Sequence, residues 1–212
     1  MIKKEFCAEN FTQVPEAIEL GVDRIELCDR LDVGGTTPSE AVIRETVAYS
    51  HQRGVEVIVM IRPREGSFVY SEAEKNQILK DAKQALNLKA DGIVFGCLTE
   101  TGEIDKPVVK KLFELAAAKQ SVFHMAFDAI PEGKQMEALN WLIDNGCTRI
   151  LTRGGQIGTA IENKRAINNL IDKAKKQIEI LPGGGLTHEN LEQAKREIQA
   201  TQYHGTKIVP LT

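Results

Sequence analysis

The sequence has no long hydrophobic run, and its few cysteines are scattered. No apolar stretch approaches the roughly 20 residues of a membrane-spanning helix, and residues 1–6 lack the apolar core of a signal peptide. We therefore expect a protein of the cytoplasm without a membrane partner. The cysteines, Cys7, Cys28, Cys97 and Cys147, form no C-x-x-C pair, which predicts reduced thiols and argues against a disulfide framework.

Neither sign of charge dominates the sequence. It has 27 Lys and Arg residues against 30 Asp and Glu residues, which gives a net charge of −3 and a pI near 5.9. This balance supplies no general attraction to nucleic acid or to an anionic membrane. The length of 212 residues suits one domain over residues 1–212, near the lower limit for a TIM-type (β/α)8 barrel.

Short β-branched runs alternate with longer amphipathic stretches along the chain. Eight runs predict strands near residues 2–7, 24–28, 55–61, 92–95, 121–127, 149–152, 178–181 and 198–204. Seven stretches predict helices near residues 12–20, 39–53, 72–88, 106–119, 132–145, 159–176 and 188–195. Strands that alternate with helices form a parallel sheet, because parallel strands need crossover connections.

The strand pattern favours an α/β fold of the TIM-type barrel class over an open, doubly wound sheet. Polar residues occupy alternate positions near the strand ends, and no G-x-G-x-x-G follows the first strand. After the eighth strand only residues 205–212 remain, so the eighth outer helix is predicted to be absent. A second copy of the chain would then cover the exposed seam, and we expect a homodimer.

Polar side chains gather at the predicted carboxyl ends of the strands, where β/α barrels place their active sites. Side chains two residues apart share a face of a strand, so that one set would meet at the mouth: Glu5, Cys7, Glu26, Cys28, Arg62, His124, Asp128, Thr152 and His204. Buried polar groups need partners, and the set predicts a ligand pocket. The alternative is a plug of internal ion pairs, such as Glu26 with Arg62.

Two glycine-rich turns predict an anion site beside this pocket. Arg153 precedes two glycines after strand six, and Gly183, Gly184 and Gly185 follow strand seven. Glycine lets backbone N–H groups approach an anion closely. Barrels often bind phosphate with the loops after strands seven and eight, and Lys207 lies in the second of these loops. The alternative is that the glycines only form tight turns.

Cys7 and Cys28 each end a predicted strand, and neighbouring strands lie about 4.8 Å apart. We expect their sulfurs to lie within about 6 Å of each other on the same face. Two soft thiolates at that separation suit Cu(I), whereas zinc needs four ligands, or three and a water. The alternative is that both cysteines are small buried hydrophobic residues.

Six segments, taken in order, resemble the CutC family of copper homeostasis proteins. They are RIELC (24–28), VGGTTPS (33–39), VMIRPR (59–64), DGIVFG (91–96), FHMAFD (123–128) and LPGGG (181–185). The resemblance implies a TIM-type barrel, a cytoplasmic location and copper handling, and Cys7 and Cys28 match a cysteine pair proposed in that family as a Cu(I) site. The chain departs from the family pattern at Met125, where Arg is common, and at Arg153, where a small residue is usual.

Two functions of different classes follow. The first is copper homeostasis, with Cu(I) bound by the cysteine pair. The second is an enzyme that acts on a small anionic or phosphorylated substrate, with Glu26 or Asp128 as a general base, His124 as an acid or electrophile, and Arg62 as a charge clamp. A third hypothesis is an inert barrel that serves as a binding scaffold. The fold does not decide among them.

Overall fold

In the computed structural model, which describes residues 2–212, eight parallel strands alternate with helices. The strands are β1 (Lys3–Glu9), β2 (Arg24–Cys28), β3 (Glu56–Met60), β4 (Gly92–Phe95), β5 (Gln120–Phe123), β6 (Arg149–Thr152), β7 (Glu179–Pro182) and β8 (Gln202–Gly205). The helices are α1 (Val14–Glu19), α2 (Glu40–His51), α3 (Glu72–Asn87), α4 (Lys106–Ala116), α5 (Ala126–Ala129), α6 (Glu132–Asp144), α7 (Lys164–Ala174) and α8 (Leu191–Glu197).

The strands follow one another around a nearly closed barrel. Each strand from β1 to β6 pairs with the next, and β8 pairs with β1. Within residues 2–212, β7 and β8 share no ladder; the loops that follow them meet instead, where the His188 N–H donates to the Lys207 carbonyl at 2.7 Å. The predicted TIM-type barrel is confirmed.

The outer helices form because their apolar faces pack on the strands. Helix α3 begins at a capping box, in which Ser71 and Glu74 exchange side-chain and backbone hydrogen bonds. Its buried residues, Ile78, Ala82 and Ala85, recur at helical spacing and face the barrel. No helix within residues 2–212 combines the length and the apolar character needed to cross a membrane.

Two predicted strand boundaries are wrong, and both errors have local causes. The fifth strand ends at Phe123 instead of continuing to residue 127, because the His124 ring accepts a backbone N–H two residues later and a helical turn begins. The eighth strand begins at Gln202. The residues before it form a loop, in which the Ile198 carbonyl accepts the Tyr203 hydroxyl at 2.9 Å.

No helix follows β8 in the described part of the chain, as predicted. The last residues cross the seam in an extended path instead. Ile208 and Val209 are buried, and the Thr212 N–H donates to the Glu16 carboxylate of α1 at 2.9 Å. This segment covers part of the strip that we expected a second copy to cover.

The barrel interior has a charged floor at the amino-terminal ends of the strands. Arg24 donates to Glu5 and, at 2.6 Å, to Gln202, and it lies 3.7 Å from Glu56. A mostly apolar layer lies above this floor, and it includes both predicted metal ligands: Cys7, Cys28, Ile58, Met60, Val94, Val122, Leu151 and Leu181. The charged floor and the apolar layer therefore close the barrel below its mouth.

Candidate functional site

A cavity of about 390 Å³ opens at the carboxyl ends of the strands. It brings together most of the residues that the sequence predicted for the site: Cys7, Glu26, Cys28, Arg62, His124, Arg153, Gly184, Gly185 and Lys207. Asp128 and Gly183 lie outside its lining. The thiols occupy one part of the cavity wall, and the positively charged side chains occupy others.

The two thiols lie close together because β1 and β2 are neighbours. Cys7 stands level with Glu26 in the sheet, and Glu9 stands level with Cys28. The cysteine thiols therefore lie on either side of one carboxylate. Cys7 Sγ is 3.2 Å and Cys28 Sγ 3.6 Å from the same oxygen, Oε2 of Glu26.

His204 of β8 joins this group from the other side. Its Nδ1 lies 2.8 Å from Glu5 Oε1, and its Nε2 lies 3.7 Å from Glu26 Oε2. The ligand atoms of Cys7, Glu26 and His204 all lie within 4.8 Å of one another. A carboxylate behind one ring nitrogen, with the other nitrogen facing the site, is how proteins orient a metal-binding histidine.

These neighbours correct one step of the sequence argument. Zinc was set aside because only two ligands were counted, but the barrel places Glu26 and His204 beside Cys7 and Cys28. Zinc accepts thiolate, imidazole and carboxylate ligands, so a shortage of ligands does not exclude it. The sequence placed Glu26 and His204 at the same mouth but could not show that they contact the thiols, because the approach of β8 to β1 joins residues from the two ends of the chain.

Burial and close contact shift the pKa of every group in this cluster. The contact with Cys28 and burial raise the pKa of Cys7 well above its usual value. The hydrogen bond to Cys7 lowers the pKa of Cys28, but burial and the charge of Glu26 outweigh it and raise that pKa to about 11. Burial raises the pKa of Glu26. Both cysteines are therefore thiols near neutral pH, and a metal that binds them must displace protons.

Arg62 does not form the ion pair with Glu26 that a plugged barrel would contain. Its Nη1 donates to the carbonyls of Val33 and Gly35, and its Nη2 donates to the carbonyl of Gly66, each at 3.0 Å. Within residues 2–212, no carboxylate lies within 4.0 Å of this guanidinium. Arg62 thus ties together the loops after β2 and β3, and its charge is not neutralised.

His124 stands at the end of β5 as a neutral ring. Its Nδ1 accepts the N–H of Ala126 at 3.0 Å, so the proton of the neutral ring resides on Nε2. Burial and the nearby charge of Arg62 lower the pKa of His124 to about 3. Of the two predicted roles, electrophile fits a neutral hydrogen-bond donor, whereas a charged general acid does not.

Asp128 shapes the loop after β6 from behind the cavity wall. Its carboxylate accepts the Thr152 hydroxyl and, at 2.9 Å, the backbone N–H of Arg153. Burial raises the pKa of Asp128 despite these hydrogen bonds. The Arg153 side chain lies over the sulfur of Met125 at 3.5 Å, so the two positions that depart from the family pattern touch each other.

The glycines after β7 serve the turn itself. Gly183 donates its N–H to the Thr152 carbonyl at 2.9 Å, and a Cβ on it would come within 2.7 Å of Leu151. Gly184 and Gly185 have φ values of +88° and +76°, which glycine adopts readily. An anion site would use the same backbone N–H groups as this tight turn.

The sequence argument missed Phe68, which lies in the loop between β3 and α3 and lines the cavity. Its ring centroid lies 4.9 Å from that of His124, and the guanidinium carbon of Arg62 lies 5.3 Å from it. An aromatic residue in a loop at the carboxyl end of a barrel strand was the available signal, since such loops build the mouth.

Comparison with known proteins points to one family. The chain matches the model of the CutC family over residues 2–209. It is 50% identical to a CutC family protein of Enterococcus faecalis, over 97% of this chain and 99% of that protein. It is 40% identical to the human copper homeostasis protein cutC homolog, over 94% of this chain and 71% of that protein. A solved CutC structure from Streptococcus agalactiae, 42% identical, matches with a TM-score of 0.95 and covers 99% of this chain and 100% of that chain.

Proposed function

The chain belongs to the CutC family, and on this premise we propose that it acts in copper homeostasis by binding Cu(I) through Cys7 and Cys28. The observation that supports this most is the pair of thiols, 3.2 and 3.6 Å from one oxygen of Glu26, at the wall of an open cavity. Soft sulfur ligands suit Cu(I). The human relative carries copper homeostasis in its name.

We assign His204 as a third ligand through Nε2. Glu5 holds the opposite nitrogen at 2.8 Å, which directs Nε2 toward the thiols, and imidazole is a common ligand of copper. Glu26 offers a hard oxygen that suits Cu(I) less. Its role in this proposal is to position the two cysteine side chains.

Competition for Cu(I) against a chromophoric chelator, under reducing conditions, tests the proposal. Cys7→Ser and Cys28→Ser should each abolish the tight site, because one thiolate cannot replace two. Cys147→Ser is the matched control, since Cys147 is also buried but its thiol contacts backbone carbonyls of Ser121 and Arg149. Equal Cu(I) affinity in all four proteins would overturn the proposal, and tight binding of Zn(II) without Cu(I) would overturn the choice of metal.

A second candidate function is an enzyme that acts on a small anionic or phosphorylated substrate. Three cations line the cavity, Arg62, Arg153 and Lys207, and none has a carboxylate within 4.0 Å in the described part of the chain. Such a cleft attracts anions. Glu26, whose pKa burial raises, would be the general base, and His124 the neutral donor.

Binding of inorganic phosphate, measured by calorimetry, tests this second candidate. Wild type should bind phosphate, and Lys207→Met should bind it at least several-fold more weakly. A crystal soaked in phosphate should show the ion on the N–H groups of Gly184 and Gly185, near Arg153. Phosphate found only at crystal contacts would contradict this candidate.

We also propose a cytoplasmic location and a homodimer. The four cysteines are free and buried, which fits a reducing compartment. Ile208 and Val209 of the same chain already cover part of the seam, so the dimer contact that we propose extends beyond it. Sedimentation velocity at micromolar concentration tests the dimer, and a stable monomer would contradict it.

A further inference from the structure

Two buried donors at the mouth of the barrel have no partner. Nε of Arg62 and Nε2 of His124 are shielded from solvent and make no hydrogen bond within residues 2–212, and the neutral hydroxyl of Tyr70, beside the Arg62 guanidinium, is also without a partner there. Both residues line the cavity, and they are only 5% and 4% exposed. Proteins rarely leave buried donors unsatisfied, and each exception calls for an explanation such as a missing ligand.

The backbone fixes the direction of the His124 donor. The Ala126 N–H can only donate, so Nδ1 must remain an acceptor at 3.0 Å. A proton on Nδ1 would place two donors face to face. The ring therefore stays neutral. Its Nδ1 and Cε1 atoms face Gly96, and its single N–H, on Nε2, points away from Gly96. A fixed neutral donor of this kind suits the oxygen of a ligand.

Arg62 specifies the charge of that ligand. Its two terminal nitrogens are held by three backbone carbonyls, so that Nε is the guanidinium nitrogen left without an acceptor within residues 2–212. No carboxylate within residues 2–212 lies within 4.0 Å to neutralise the guanidinium. A buried cation is stable when an anion accompanies it. The missing partner is therefore an anion that accepts a hydrogen bond from Nε of Arg62.

Phe68 covers both donors. Its ring contacts the Arg62 guanidinium at 5.3 Å and the His124 ring at 4.9 Å, and it offers neither of them an acceptor oxygen. The Phe68 carbonyl accepts the Leu98 N–H at 2.8 Å, which anchors the backbone at this point. The side chain is half-buried, so it can turn aside while the loop stays in place.

The number of donors selects the chemical group. Two single N–H donors, one from Arg62 and one from His124, match the two oxygens of a carboxylate. A phosphate brings more oxygens, and it would draw its further donors from Arg153, which lies against Met125, and from the loop after β7. We propose that Arg62 and His124 bind the carboxylate of a small organic anion, and that the Phe68 side chain covers this site until the ligand displaces it.

This inference rests on the second candidate function, an anion site, and is independent of copper. Calorimetric titration with pyruvate and with inorganic phosphate, at constant ionic strength, tests it. His124→Asn keeps an oxygen near the Nδ1 position for the Ala126 N–H but removes the Nε2 donor, and it should weaken pyruvate binding about 10- to 100-fold. His124→Gln, whose amide nitrogen reaches the Nε2 position, should retain most of the affinity. His51→Asn, at an exposed ring, is the control.

Phe68→Ala provides a second variant that does not alter either donor. Removal of the cover should tighten pyruvate binding several-fold, and a loss of binding would overturn the covering role. Equal pyruvate affinity in wild type and His124→Asn would overturn the carboxylate site. If phosphate alone binds, and Lys207→Met but not His124→Asn weakens it, the inference fails while the anion function stands. If neither anion binds wild type, both fail.

Discussion

The floor of the barrel buries Arg24 and Arg149, at 1% and 5% exposure, and the mouth buries Arg62, at 5%; the surroundings of Arg24 and Arg62 differ. On the floor, Arg24 pairs with the carboxylate of Glu5 and donates to Gln202 at 2.6 Å. At the mouth, Arg62 donates to three backbone carbonyls and has no carboxylate partner within 4.0 Å in the described part of the chain. The same side chain is part of an internal ion pair in one place and a charge without a counter-ion in the other. Burial alone therefore does not mark a functional residue, whereas an unpaired charge beside a cavity does.

The two buried histidines repeat this contrast within the mouth. Burial acts against the charged form of His204, but the carboxylates of Glu26 and Glu5 outweigh it and raise the pKa of His204 well above the usual value. Burial and Arg62 together lower the pKa of His124 to about 3. The cavity thus holds a protonated ring among the thiols, whose Nε2 proton a metal ion must displace together with the thiol protons, and a neutral ring beside Arg62.

The largest effect that we expect is on the floor. Arg24→Met should lower the free energy of unfolding by about 3 kcal/mol, because it removes one of the two cationic partners of the buried Glu5 carboxylate and leaves only His204. Urea denaturation near neutral pH measures this. Glu137→Gln is the matched control, since it breaks an exposed pair with Lys106 and should leave the midpoint unchanged. A loss no greater than that of the control would mean that Arg24 and Glu5 are not coupled.

A smaller effect should appear at His124 as the pH falls. The unfolded chain binds a proton at His124 below about pH 6.5, whereas in the folded chain its pKa is about 3. The unfolded state therefore holds more protons between these values, and stability falls as the pH falls. As the pH falls from about 6 to about 4, the free energy of unfolding of the wild type should decrease by about 1.4 kcal/mol per pH unit more than that of His124→Asn. Parallel curves for the two proteins would contradict a neutral buried ring.

The smallest effect concerns Arg62 in the absence of ligand. Arg62→Met removes three hydrogen bonds to loop carbonyls, but it also removes a buried charge that has no counter-ion. We expect a net loss of about 1–2 kcal/mol in the free energy of unfolding, with a larger relative loss of anion affinity. Thermal melts and calorimetry on the same samples compare the two. A loss as large as that of Arg24→Met would remove the distinction between floor and mouth.

The sequence predicts the barrel well because its signals are local. Alternating short apolar runs and amphipathic stretches give the number and order of the strands. The period of two along a strand places Cys7, Cys28 and His124 near the mouth of the barrel. The error at β5 is also local. His124 accepts the Ala126 N–H, and a short apolar run cannot reveal that such a hydrogen bond starts a helix inside it.

The partners within the site could not be predicted, because they depend on register and on long-range closure. Glu26 was paired with Arg62 in one alternative, but the sheet places Cys7 level with Glu26 and turns Arg62 toward the loops. His204 joins the thiols only because β8 pairs with β1. No spacing along the chain encodes these contacts.

X-ray absorption at the copper edge, on protein loaded with one equivalent of Cu(I), tests the central claim most directly. The claim is that the thiols of Cys7 and Cys28 bind the metal and that His204 completes the set. Wild type should show two sulfur neighbours and one nitrogen neighbour, and His204→Phe should lose the nitrogen and keep both sulfurs. A first coordination shell of the copper ion that contains only nitrogen and oxygen in the wild type would contradict the account.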